Sequence, residues 1–211
     1  MDTKENILMT ALRLFARDGY EAVSVSMIAG ELSITKGALY RHYSSKRDIF
    51  DHIVARMYEI DAQRARQYSV PEERWEDTPE AYEDVSWESV LRFTEAQFVF
   101  WTEDDFACRF RRMLTLEQYR NAEMSELYKN CLTTGPVSYM EDIFLRMMDS
   151  GLIARDDPKL LALSFYAPLF LLIQMADSES QQKTYAALLE QYIRRFRQSC
   201  TAETAERTDR K

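Results

Sequence analysis

The sequence is poor in the residues that make tight turns, disulfide bridges and metal sites. Its 211 residues include only 5 glycines and 5 prolines, too few for the turns of a many-stranded β-sheet protein, so long helices are expected. The 3 cysteines, Cys108, Cys131 and Cys200, are odd in number and widely spaced. This spacing fits neither a disulfide framework nor a Cys-x-x-Cys metal site, and it favours a reducing, cytoplasmic compartment.

Motifs of catalysis and of cofactor binding are also missing. The sequence contains no GxSxG, GxGxxG, P-loop or HExxH motif. The 2 histidines, His42 and His52, have no cysteine between them, and no Glu-x-x-His pair suggests a carboxylate di-metal site. We therefore expect no enzyme activity, no cofactor and no metal.

One long apolar run raises the question of a membrane span. Residues 160–176 carry no charge, and a run of this length is close to the minimum for a helix that crosses a bilayer. Ser164, Pro168 and Gln174 interrupt the run, and charged residues flank it closely. We interpret it as a helix buried between the core and a partner subunit, and expect no membrane partner.

The net charge of −8 is unevenly distributed. Residues 1–50 hold seven basic and six acidic side chains, whereas the rest of the chain holds 20 basic and 29 acidic ones. No acidic residue lies between Glu31 and Asp48, a window that contains Lys36, Arg41, Lys46 and Arg47. A positive window in an acidic protein is where a polyanion can bind, although a solvated basic face is the simpler interpretation of charge alone.

Apolar residues recur at helical spacing along most of the chain, which predicts an all-α fold. Thr3 and Gly19 bound the first helix, and Ser24 and Thr35 cap two short helices that end near residues 32 and 42. We expect an acidic connection over 67–86 and a disordered tail over 201–211. Longer helices are predicted over 46–67, 87–101, 105–116, 119–132, 136–149, 158–176 and 179–199.

The first three helices, the third of them in the acid-free window, form a helix-turn-helix pattern. A recognition helix brings its N-terminal end close to bases and phosphates, so a hydroxyl, a cation and two small residues at 35–38 suit that position. Ser26, Thr35, Lys36 and Ala38 are candidates for reading bases, with Ser24 and the backbone of Gly37 beside them. Phosphate contacts are expected from Lys36, Tyr40, His42, Tyr43 and Lys46, although Tyr40 and Tyr43 could instead be core aromatics.

The segment from Ser24 to Tyr43, with Ser45-Lys46 after it, closely resembles the DNA-binding domain of TetR-family transcriptional regulators. The resemblance covers about residues 3–55. Leu32-Ser33 departs from the pattern, because the family commonly has Ala-Gly in this turn. Serine can adopt the turn at some cost in strain. The matching positions are Ala11-Leu12, Leu14-Phe15, Gly19-Tyr20, Ile28-Ala29, Lys36 to Tyr40, Tyr43 and Ser45-Lys46.

The resemblance implies an N-terminal three-helix helix-turn-helix domain, residues 2–61 with the motif at about 24–43, and a larger helical ligand-binding and dimerisation domain, residues 62–200. It implies a homodimer on a palindromic double-stranded DNA operator, acting as a repressor that a small-molecule effector releases. A TetR-like activator, or an adaptor without a ligand, is the alternative.

The second domain offers two further sets of candidates. By analogy with the family, the last two long helices pair with their copies, and the apolar run at 160–176 agrees with a hidden interface. Core packing competes with a pocket role for each pocket candidate. The interface candidates are Leu163, Tyr166, Phe170, Leu189, Tyr192 and Phe196. The pocket candidates are Phe98, Trp101, Phe110, Met113, Tyr119 and Tyr139.

Overall fold

The structure is a computed structural model that describes residues 3–72, 79–82, 85–176 and 178–208. These residues form ten α-helices and one 3-10 turn and contain no strand, which confirms the all-α prediction. The 3-10 turn is Pro79–Tyr82. The helices are α1 (Thr3–Asp18), α2 (Val25–Glu31), α3 (Lys36–Tyr40), α4 (Lys46–Gln67), α5 (Trp87–Glu103), α6 (Asp105–Glu117), α7 (Ala122–Leu132), α8 (Thr134–Asp149), α9 (Pro158–Met175) and α10 (Glu179–Thr208).

Side-chain caps set the starts of the predicted helices. Ser24 Oγ accepts the backbone N–H of Met27 at the start of α2, and Asp157 Oδ1 accepts the N–H groups of Lys159 and Leu160 at the start of α9. Pro158 occupies the first turn of α9, where a missing N–H is tolerated. The short-range chemistry that predicted these helix starts is therefore confirmed.

Helix boundaries differ from the prediction at several positions. The third helix, α3, ends at Tyr40 and not near residue 42. Because Asn121 Oδ1 caps α7 by accepting the N–H of Glu123 at 2.9 Å, this helix starts at Ala122 and not at 119. The last helix continues to Thr208 through residues rich in alanine and glutamate, which favour helix, so the predicted disordered tail is helical up to that residue.

Some predictions fall on residues outside the described ranges. The end of the predicted tail, residues 209–211, lies there, and so do 73–78 and 83–84 of the predicted acidic connection.

The chain divides into two compact units. The first contains Met1–Asp61 together with Glu103–Lys129. Within it α1 packs on α6, whose apolar face includes the fully buried Phe110 and Met113. The predicted second domain includes residues 103–129, but the apolar face of these residues is buried in the same unit as the helix-turn-helix. The assignment of functional domains stays a prediction.

The second unit contains Ala62–Thr102 and Asn130–Lys211. In this unit α8 packs on α9, and α9 packs on α10. Four aromatic side chains from different helices form its centre, with neighbouring ring centroids 5.1 to 6.4 Å apart. These are Trp87 of α5, Phe144 of α8, Phe165 of α9 and Phe196 of α10.

The α9 helix is the one helix in the described residues whose length and composition would allow it to cross a membrane. Only one of its faces is buried within the chain, by residues that include Phe165 and Leu169. Leu160, Leu163 and Leu171 are more than half exposed at 61%, 52% and 57%. The expected burial on most sides is therefore not reached within a single chain.

A proline inside α9 is accommodated by a contact from α10. Pro168 has no backbone N–H, so the carbonyl of Ser164 loses its usual helical donor. The phenolic hydroxyl of Tyr192 donates a hydrogen bond to this carbonyl. Tyr192 therefore joins α9 to α10 within one chain.

Candidate nucleic-acid interface

The start of α3 carries the residues predicted to enter the DNA groove. Thr35 Oγ1 accepts the backbone N–H of Ala38 at 3.1 Å, so the cap is formed as predicted. Lys36 and Gly37 are exposed and Ala38 is half-buried, while Leu39 on the opposite side is fully buried. The helix is therefore anchored by its apolar side and presents a small, cationic end to solvent.

The other predicted contacts on these helices have different surroundings. Ser24 and Ser26 are exposed at the start of α2, and Tyr40 is half-exposed at the end of α3. His42 is half-buried. These residues are available at the surface, and their contacts with DNA stay predictions.

The turn between α2 and α3 shows the strain expected from Leu32-Ser33. Ser33 has φ 54°, the left-handed conformation that favours glycine. Its N–H donates to the carbonyl of Gly30 at 3.0 Å, and the N–H of Ile34 donates to that of Ala29 at 3.0 Å. This pair of bonds is the Schellman pattern that closes a helix, so the turn keeps its usual geometry without glycine.

Tyr43 is a core residue and not a surface contact. The residue is 1% exposed, and its hydroxyl donates to the carbonyl of Lys4 at 3.3 Å. Its ring packs edge-on against His52 with centroids 5.1 Å apart. We therefore correct the predicted phosphate contact of Tyr43, since its aromatic side chain packs α1 against the start of α4.

Lys46, the first residue of α4, has a structural role that sequence analysis missed. Its Nζ donates to the carbonyl of Tyr20 at 2.9 Å and to that of Glu21 at 3.5 Å, and it lies 4.2 Å from the centroid of the Tyr20 ring. An ammonium group has three N–H donors, so a further hydrogen bond to a phosphate is compatible with these contacts. The phosphate contact of Lys46 stays a prediction.

Arg47, the next cation of the acid-free window, is held by acidic side chains. Its guanidinium makes a bidentate pair with Glu123, with both N–O distances 2.6 Å, and contacts Asp51 at 2.7 Å. Hydrogen bonding to the Glu123 carboxylate raises the pKa of Arg47 and lowers that of Glu123. The charge of Arg47 is thus largely balanced inside the first unit.

A reciprocal cap fixes the start of α4. Ser45 Oγ accepts the N–H of Asp48 at 3.0 Å, and Asp48 Oδ2 accepts the N–H of Ser44 at 2.7 Å. This backbone hydrogen bond, with further contributions from the Ser44 hydroxyl and His52, holds the pKa of Asp48 below its ordinary value of 3.8. The Asp48 carboxylate therefore stabilises the turn that precedes α4, which begins at Lys46.

Glu117 is a polar contact of this unit that sequence reasoning did not find. The side chain is 0% exposed, and its Oε1 accepts the N–H of Tyr20 at 3.0 Å. A signal was present in the sequence, because Glu117 continues the helical spacing of Phe106, Phe110 and Met113 on the buried face of α6. An acidic residue on an apolar stripe indicates a buried hydrogen bond.

The predicted pocket residues do not share one environment. Tyr119 is 90% exposed in the turn before α7, so we correct its assignment as a pocket residue. Phe110 and Met113 are buried in the first unit, and Phe98 and Trp101 are buried in the second. A pocket role for these residues stays a prediction. Tyr139 is half-buried, and its hydroxyl donates to the carbonyl of Pro71 at 2.9 Å.

The predicted interface residues also divide into core and surface. Leu189 is 1% exposed. Tyr166 is buried, and its hydroxyl donates to the carbonyl of Leu132 at 2.8 Å. Both side chains belong to the core of their own chain, so we correct their assignment to the dimer interface. Phe170, Tyr192 and Phe196 are half-buried. The exposed apolar face consists of Leu160, Leu163, Leu171 and Met175 of α9 and Leu188 of α10.

No group of three or more histidine, cysteine, aspartate or glutamate side chains in the described ranges could hold a metal ion.

The N-terminal segment of the chain matches a known protein family. Residues 7–53 match the sequence model of the bacterial regulatory proteins, tetR family. The chain is 47% identical over 45 residues to the HTH-type transcriptional regulator YerO of Bacillus subtilis (strain 168), a match covering 21% of this chain and 16% of YerO. It is 40% identical over 52 residues to the HTH-type transcriptional regulator AcrR of Shigella flexneri, a match covering 25% of this chain and 24% of AcrR. The chain thus spans a quarter or less of these two curated relatives.

Solved structures resemble the chain over most of its length. SmeT in complex with triclosan superposes with a TM-score of 0.63 at 20% identity, covering 90% of this chain and 89% of SmeT. A second structure of SmeT, described as the repressor of the Stenotrophomonas maltophilia multidrug efflux pump SmeDEF, gives a TM-score of 0.60 at 22% identity, covering 92% and 89%. At these identities the likeness shows a common fold.

Proposed function

We propose that this chain, which belongs to the TetR family of bacterial regulatory proteins, is a sequence-specific DNA-binding transcriptional regulator that represses genes from a palindromic operator. The observation that carries the proposal is the exposed N-terminal end of α3, with Lys36 and Gly37 at the surface and Leu39 anchored below. A helix of this kind can approach base edges closely while its first amides and its lysine meet the phosphates.

The DNA-binding residues have separate roles in this proposal. Lys36 and the hydroxyl of Tyr40 contact phosphates and fix the register, with His42 beside them. Ser26, Thr35 and Ala38 lie at the edge that faces the bases, where a hydroxyl or a methyl group discriminates among base pairs. Lys46 contacts a phosphate with the part of its ammonium that faces away from the Tyr20 carbonyl.

A homodimer is proposed on the exposed apolar face of α9 and α10. Leu163, Leu171 and Leu188 are 49% to 57% exposed, and an apolar face of this kind is characteristic of a protein interface. Pairing of this face with a second copy follows two-fold symmetry, which matches the symmetry of a palindromic operator. Such burial also accounts for the apolar composition of α9 in a protein that we expect to be cytoplasmic.

A small-molecule effector is proposed to release the operator. SmeT, which shares this fold, was solved with triclosan, and the second unit of this chain contains Phe98, Trp101 and Tyr139. A ligand shifts the equilibrium only by its differential affinity for the two conformations. An activator, or an adaptor without a ligand, would share the DNA interface and lack this response.

The experiment is a selection of bound duplexes from a random DNA pool by the purified full chain, followed by titrations at several salt concentrations. We expect an inverted repeat to be enriched and a dimer in sedimentation. Lys36→Ala should weaken binding to the selected site and to random DNA and reduce the salt slope by about one.

The matched control is Lys183→Ala, which removes an exposed lysine of α10 and the same charge. It should leave affinity and salt slope unchanged. A pool without enrichment, a strictly monomeric protein, or equal effects of the two substitutions would contradict the proposal.

A further inference from the structure

The turn after α1 is held from two sides. The N–H of Tyr20 donates to Glu117 Oε1 at 3.0 Å, and the carbonyl of Tyr20 accepts from Lys46 Nζ at 2.9 Å. Its ring packs between Phe15 and Phe50, with centroid distances of 5.1 and 5.2 Å. Rotation of this turn would break both hydrogen bonds and disturb both ring contacts.

Glu117 is an unusual residue for its position. Its side chain is fully buried, and Oε2 has no hydrogen-bond partner in the described residues. Arg120 approaches Oε1 at 3.7 Å. Burial of a carboxylate with one oxygen unbonded is unfavourable, and an apolar side chain would fill the space without this penalty. The bond to Tyr20 is the contact that explains a glutamate here.

Gly19 makes room for this carboxylate. A Cβ at Gly19 would lie 2.4 Å from Glu117 Oε1, closer than any real contact, and the residue has φ +89°. Glycine is therefore needed both for the conformation of the turn and for the approach of Glu117. Two residues that are far apart in the sequence fit one another at this point.

We infer that Glu117 is a positioning residue for the helix-turn-helix. The turn that it holds leads directly to Ser24, the cap of α2, and α2 leads through Ser33 to the recognition helix. By fixing the Tyr20 peptide against α6, Glu117 sets the orientation in which α2 and α3 read an operator. The DNA-reading unit thus includes α6, which lies outside residues 7–53 of the family match.

This inference rests on the proposed function, and it predicts a specific change in DNA binding. Phosphate contacts give affinity for all DNA, whereas base contacts require the correct placement of α3. Loss of Glu117 should therefore reduce binding to the selected operator and leave binding to random DNA and the salt slope unchanged. Lower stability alone would not change the ratio of the two affinities in a protein that stays folded.

The test compares three substitutions in the full chain, at a temperature where circular dichroism shows each variant folded. Glu117→Ala removes the acceptor, Glu117→Asp keeps the charge but withdraws it by one methylene, and Glu117→Gln keeps an acceptor oxygen. We expect the first two to lower the operator-to-random affinity ratio about tenfold, which corresponds to about 1.4 kcal/mol. Glu117→Gln should retain the ratio.

Glu126→Gln is the matched control, because this α7 carboxylate is 64% exposed and pairs with Lys129 at 3.6 Å. It should leave the ratio unchanged. Amide hydrogen exchange of Tyr20 gives a second readout that needs no DNA: the N–H should be protected in the wild type and in Glu117→Gln, and should exchange faster in the other two variants.

The two proposals fail in different ways. A wild type without operator preference overturns the proposed function, and the exchange of the Tyr20 amide then still tests the positioning role. An unchanged affinity ratio in Glu117→Ala and Glu117→Asp, or an unprotected Tyr20 amide in the wild type, overturns the role of Glu117. If Glu117→Ala does not fold, Glu117→Asp and the wild-type exchange rate decide the question.

Discussion

Replacing Ser33 by glycine should stabilise the first unit. A left-handed conformation costs an ordinary residue about 1–2 kcal/mol, and Ser33 adopts it with φ 54°. Glycine removes this strain but loses about 0.5–1 kcal/mol more in chain entropy on folding. The Ser33 side chain is exposed, and the two bonds of the turn, from Ser33 to Gly30 and from Ile34 to Ala29, use only the backbone. We therefore expect a net gain of about 0.5–1 kcal/mol.

The chain supplies its own control for this substitution. Ser69 has φ 52° and closes α4 with the same pair of bonds, from its N–H to Arg66 and from the N–H of Val70 to Ala65. Ser69→Gly relieves the same strain in the second unit. Because two units can unfold separately, amide hydrogen exchange within each is the measurement, since one melting temperature would mix them.

Each substitution should slow exchange in its own unit. If Ser69→Gly stabilised its unit while Ser33→Gly left the first unit unchanged or weaker, the assignment of strain to Ser33 would be wrong.

Two further predictions concern hydrogen bonds that hold single helices. Tyr192→Phe should destabilise the second unit by about 0.5–1 kcal/mol in denaturant unfolding, because the carbonyl of Ser164 then loses its donor beside Pro168. An unchanged unfolding midpoint would contradict this prediction and would show that water replaces the hydroxyl. Because the pKa of Asp48 is lowered in the folded state, its stabilising effect is complete above the ordinary carboxyl pKa and is lost as the pH falls through the folded value. Asp48→Asn should therefore destabilise the first unit at pH 7 by about 1 kcal/mol and make it less sensitive to acid below about pH 4, which denaturation at several pH values would test.

The sequence predicted helix positions well because local chemistry decides them. Ser24, Thr35 and Asp157 accept amide protons only a few residues away, so their effect does not depend on the rest of the fold. The strained turn at Ser33 was expected from the resemblance to the TetR family, which commonly has glycine at this position. Asn121 acts in the same local way and sets the start of α7, which shows that a cap can also be overlooked.

The partners of long side chains were not predictable, because they come from distant parts of the chain. Lys46 and Arg47 lie in a window without acidic residues. In the folded unit, however, Lys46 donates to the carbonyl of Tyr20, and Arg47 pairs with the carboxylate of Glu123. The sequence left both a surface and a core position open for Tyr43, and its side chain is enclosed against Lys4. Charge patterning therefore overstated how many cations of this window are free of partners within the chain.

The apolar helix α9 illustrates a different limit. A helix that is apolar on all sides has no polar face to show which residues point to its own core. The structure supplies this division: Phe165 and Leu169 are buried, whereas Leu163 and Leu171, on the opposite side, are more than half exposed. Of the two interface candidates here, Leu163 is more than half exposed, whereas Tyr166, only three residues away, belongs to the core of its own chain. The buried side of α9 therefore packs on its own chain, and the exposed side is the one that we propose to contact a second copy. The sequence of this helix does not distinguish the two sides, because both are apolar.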